Sequence, residues 1–63
     1  MNDDAALMIA VRVKEACIQA AKAGYEDAAI LGLCHEGAVE ASVSAIQTID
    51  VDAILRELAA KDY

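Results

Sequence analysis

Residues 32 to 42, GLCHEGAVEAS, hold Cys34, the chain's single histidine His35, and the carboxylates Glu36 and Glu40. A thiolate beside an imidazole is the donor chemistry of a zinc or redox site. Two carboxylates four residues apart can share acid and base work. Cys17, the second cysteine, would complete a metal or thiol-redox site of Cys17, Cys34 and His35, and a small enzyme using Glu36, Glu40 or His35 is a further rival.

The spacing favours plainer roles. On a regular helix Cys34 and His35 point about 100° apart, whereas ligands on a helix sit three or four residues apart. The positions at those offsets from His35 are Leu31, Gly32, Ala38 and Val39, none of which ligates a metal. A break at Gly32 or Gly37 would loosen this objection, and a second copy could bring another Cys34 and His35. Cysteine is also a small apolar filler, and a lone histidine between apolar stripes is commonly hydrogen-bonded at a core edge, here with Ser42 one heptad along. Glu36 and Glu40, with Ser44 and Gln47, read as a solvated face, which Lys14 would meet or escape by snorkelling. Asp50 and Asp52 start like a calcium loop, but the rest of that pattern is missing. We therefore expect no catalytic residue, no metal site and no cofactor.

The elements that must position these residues are all helical. The chain has no proline and abundant alanine, and its apolar residues recur at three and four. Helix 1 is expected over about 3–23, capped by Asn2 or Asp3 and stopped by Gly24, with Tyr25 sealing the turn. Helix 2 is expected over about 26–47, favoured at its start by Glu26 and Asp27 and running continuous or kinked through Gly32 and Gly37, because no capping side chain lies between them. Helix 3 is expected over about 51–61, with Asp50 as N-cap and Ile49 and Ile54 spaced as a hydrophobic staple. Its apolar stripe is Val51, Ile54, Leu55 and Leu58, with Asp52, Arg56, Glu57 and Lys61 on the wet side and a fraying end at Asp62 and Tyr63.

Small residues then suggest a register. Ala6, Ala10, Val13, Cys17 and Ala20 on helix 1 pair with Ala45, Ala41, Ala38, Cys34 and Leu31 on helix 2, the two numbers of every pair adding to 51. This predicts an antiparallel hairpin with an alanine seam, Cys17 level with Cys34, and an air-formed disulfide within geometric reach.

Composition sets the functional class. The 63 residues form one small domain, 1–63, too short for an unaided core to hold comfortably. Apolar side chains make up 59% of it, so each helix carries more apolar surface than the seam uses. Leu7, Val11 and Ile18 on helix 1 and Val39, Val43 and Ile46 on helix 2 are the candidate interface residues. The expected architecture is all-α: a helical hairpin plus a short third helix, forming a helical bundle as a homodimer. A net charge of −6 with scattered Lys and Arg argues against nucleic acid. The acidic start MNDD and the absence of a long uncharged run argue against an export leader and a membrane span, so a cytoplasmic protein is expected. The function read from the sequence is a protein-interaction or adaptor module, binding itself or another protein, without catalysis.

Overall fold

The computed structural model describes residues 3–61, which form three α-helices: α1 (Asp3–Ile30), α2 (His35–Gln47) and α3 (Val51–Lys61). The expected cap at Asn2, the side chain of Lys61 and the tail at Asp62 and Tyr63 lie outside the described residues. The fold is all-α, and no described helix is long and apolar enough to cross a membrane.

Gly24 does not stop helix 1. It lies inside the 28-residue α1, where a Cβ would fall 2.9 Å from the carbonyl oxygen of Ala41 and 3.0 Å from the Cβ of Ala45. The glycine is there because another backbone passes against it. Glu26 and Asp27, read as a helix start, are interior residues of the same helix.

The stop is Gly32, whose φ of +87° is the left-handed conformation that ends helices. The Gly32 N–H donates to the Ala29 carbonyl at 3.0 Å, and the Leu33 N–H reaches back to Ala28 at 3.0 Å. These are the two bonds of a Schellman motif, so the expected continuous helix 2 is broken here. Cys34 is the N-cap of α2 in an extended conformation with no side-chain capping bond. Leu33 folds over the first turn, its Cδ2 lying 3.3 Å from where a Cβ on Gly37 would sit. Glu36 adds a negative charge near the positive end of the helix. Exposed N–H groups at this end can be met by water, so the missing cap residue did not prevent a helix start.

The register moves accordingly. Ser42 Oγ donates to the Ala21 carbonyl at 2.7 Å, and Gly24 meets Ala41 and Ala45, which places α2 roughly three turns further along the chain than the sequence offset implied. Of the expected α2 side of the seam, Ala38, Ala41 and Ala45 are buried or half-buried and Cys34 is exposed; of the expected α1 side, Val13 and Cys17 are half-buried. Ala28 is buried and Ala20, Ala21 and Gly24 are half-buried, whereas Ala6, Ala10 and Leu31 are exposed.

At the end of α2, the Thr48 N–H and Oγ1 bond back to Ser44 and Ala45, and the chain turns. Asp50 caps α3 as expected, its Oδ1 accepting from the Ala53 N–H at 3.0 Å. Ile54 is buried and Leu58 half-buried, while Val51 and Leu55 keep much of their surface. α3 packs on the N-terminal half of α1, with Arg12 3.6 Å from Glu57.

The result is one long helix carrying two shorter ones in series along its length. At about 1.5 Å per residue α1 alone accounts for the 44 Å long axis. The radius of gyration is 14.5 Å, against about 11 Å for a compact chain of this length. Ala28, Ala38 and Ile54 are the buried hydrophobic residues among those described.

Candidate interaction face

The chemistry-bearing residues are not brought together. Cys17 is half-buried within α1, thirteen residues before its end, while Cys34 is exposed beyond that end, so the two lie about 20 Å apart along the helix. They are not level across a seam, and a disulfide within one chain is out of reach. Among the described residues no three His, Cys, Asp or Glu side chains cluster as a metal site would require. Glu36 and Glu40 are exposed on α2. Lys14 lies sixteen residues before the end of α1, roughly 24 Å from the tip where Glu36 sits, so the corrected register separates it from both glutamates.

His35 has a different partner from the one expected. Ser42 turns to the Ala21 carbonyl, and the His35 Nδ1 lies 2.9 Å from the Tyr25 hydroxyl. The hydroxyl donates to a neutral imidazole bearing its proton on Nε2, or accepts from Nδ1–H in the other tautomer. The two rings pack edge to face with centroids 5.8 Å apart at 67°. Tyr25 is therefore a cross-helix bridge one turn below the tip of the hairpin, rather than a seal at a turn.

That contact fixes which surfaces share a side. Val11, Ile18 and Tyr25 are spaced by seven on α1 and project from one face. His35, Val39, Val43 and Ile46 follow spacings of four, four and three along α2 and also project from one face. Because Tyr25 touches His35, the two stripes lie side by side and make a single surface across the hairpin.

All six candidate interface residues are exposed: Leu7 at 63%, Val11, Ile18, Val39, Val43 at 50%, and Ile46. α3 covers only one flank. Leu58 lines a shallow, mostly apolar groove with Leu7, Met8, Val11, Arg12 and Glu15, so the α3 edge extends the face without hiding it. Met8 and Tyr25 belong to this surface but were not singled out for it. Met8 sits at the edge of the stripe, and Tyr25 was assigned to a turn that lies elsewhere.

The size of the surface can be judged against the mass. A folded monomer of 6.6 kDa exposes about 3,900 Å². This chain exposes 4851 Å², an excess of roughly 1,000 Å². Comparison of the chain with known protein families, with curated proteins and with solved structures finds no match.

Proposed function

We propose that this chain is a protein-interaction module that works as a homo-oligomer, without catalysis of its own. The observation that supports this is the surface excess. Roughly 1,000 Å² beyond a compact monomer is comparable to the about 800 Å² that each partner gives up in a stable interface. Much of the exposed surface is apolar: Leu7, Val11, Ile18, Val39, Val43 and Ile46 lie on one side of the hairpin, with Lys14 as the charged side chain among them. Left in water, each such side chain forgoes much of the about 1.5–3 kcal/mol that full burial gives. A chain with so few buried residues has little else to draw on.

Sedimentation equilibrium of the full chain under reducing conditions tests the proposal. A mass of two or more chains at micromolar concentration is expected, shifting towards the single chain for Val43→Asp. A folded monomer at every concentration overturns it.

A further inference from the structure

We infer that a second copy of this chain docks on the apolar face antiparallel, about a two-fold axis beside Ile18, bringing Glu15 of each copy against Lys22 of the other. This rests on the self-association proposed above and specifies its geometry.

The area argument makes a second copy a sufficient occupant, since the excess matches what one partner contributes to a standard interface. A two-fold interface uses the same patch on both chains, and the patch must then complement itself. The charges around Ile18 decide the direction. Glu15 and Lys22 are seven residues apart, so they occupy the same edge of the α1 stripe, one about a turn before Ile18 and the other about a turn after it. Both side chains are exposed, Glu15 with its carboxylate 3.9 Å from the Arg12 guanidinium. Across an antiparallel two-fold beside Ile18 the same edges of the two helices meet, with the position before the axis opposite the position after it. Two Glu15–Lys22 pairs result.

A parallel two-fold fails on both counts. It sets the edge holding Glu15 and Lys22 against the α2 side of the face, where Val43 and Ile46 offer no charge. It also sets Lys14 against Lys14, because this lysine lies within the stripe between Val11 and Ile18. Two ammonium groups facing each other in a desolvated patch are repulsive. The antiparallel arrangement holds them roughly 12 Å apart along the helix direction.

The same axis matches the ends. Val11 and Tyr25 each stand seven residues from Ile18 on opposite sides. Tyr25 of each copy therefore arrives at the groove formed by Leu7, Met8, Val11 and Leu58 of the other. Tyr25, its hydroxyl hydrogen-bonded to His35, is thereby set against a shallow, mostly apolar groove.

Charge reversal tests the pairing in the full chain, read by sedimentation equilibrium with helicity checked by circular dichroism. Glu15→Lys and Lys22→Glu are each expected to weaken the dimer about tenfold, since two attractive pairs become repulsive. The double variant restores both pairs and should return to within about threefold of the parent chain. Singles without effect, or a double no better than the singles, overturn the antiparallel docking while leaving self-association standing. A parent chain that is monomeric overturns self-association itself. As an orientation measurement independent of these charges, a spin label on Met8→Cys in a chain with Cys17→Ala and Cys34→Ala should give a label separation of about 30 Å. A separation under about 20 Å, as parallel helices require, would overturn the inference.

Discussion

Gly24 of α1 and Ala41 of α2 are in backbone contact: a Cβ on Gly24 would stand 2.9 Å from the Ala41 carbonyl oxygen, with Ala45 Cβ at 3.0 Å. Gly24→Ala would gain about 1 kcal/mol of helix propensity but must force the hairpin apart, and overpacking costs about 1–3 kcal/mol. The obstruction is backbone, which cannot turn aside as a side chain can. Gly24→Ala should therefore destabilise the chain. Gly37→Ala has the opposite expectation, because its new Cβ meets only the Leu33 side chain, at 3.3 Å from Cδ2, and that chain can rotate. It should stabilise by about 0.5–1 kcal/mol. Urea denaturation of both variants, followed by far-ultraviolet circular dichroism, checks the contrast in sign.

Gly32 is the third case, and its neighbourhood is empty: nothing lies within 4 Å of an added Cβ. Its φ of +87° nonetheless makes a side chain costly, by about 1–2 kcal/mol. Gly32→Ala should lower the urea midpoint by that equivalent, whereas Gly32→Asn, which tolerates this conformation better, should lose less. Equal midpoints for Gly32→Ala and the parent chain would show that the turn is not held in this geometry.

These three glycines also explain what the sequence could and could not convey. Alanine spacing on α2 correctly picked Ala38, Ala41 and Ala45 as a packing stripe, because only small residues at three and four permit a close approach. The partner side was misplaced because a glycine that ends a helix and one that admits a neighbouring backbone look alike in a single chain. Gly24 preceded two acidic residues and resembled a stop and restart. Gly32 lacked a capping residue after it and resembled a kink, yet Leu33 over Gly37 closes that corner without a cap. The α3 start was legible because Asp50 carries its signal in its own side chain. The exposed stripes survived the register error, since membership of a face depends on helical period and not on the partner.

Asp50→Ala removes the acceptor that now holds the Ala53 N–H at 3.0 Å. The expected loss is about 0.5–2 kcal/mol, the usual value of an N-cap. The Arg56 contact to Asp50 at 3.9 Å between two exposed side chains adds little to this, so Arg56→Ala should be near neutral by comparison. Because α3 packs on α1, amide hydrogen exchange should place the effect of Asp50→Ala on residues 51–60 and the N-terminal half of α1. Protection in α2 should be retained.

The cysteines report the position of the hairpin turn directly. Were Cys17 and Cys34 level across a seam, air would close a disulfide within one chain. Instead the first is half-buried along α1 and the second exposed at the start of α2, about 20 Å beyond it. A thiol reagent under native conditions should therefore label Cys34 quickly and Cys17 slowly, since attack requires an accessible thiolate. Oxidation should yield chains joined through Cys34, seen as a doubled mass on a non-reducing gel and abolished by Cys34→Ser. Cys17→Ser should leave that band in place. A monomeric product two mass units lighter than the reduced chain, with Cys17 and Cys34 joined, would mean that the turn lies near Gly24 after all and that α1 does not run through to Ile30.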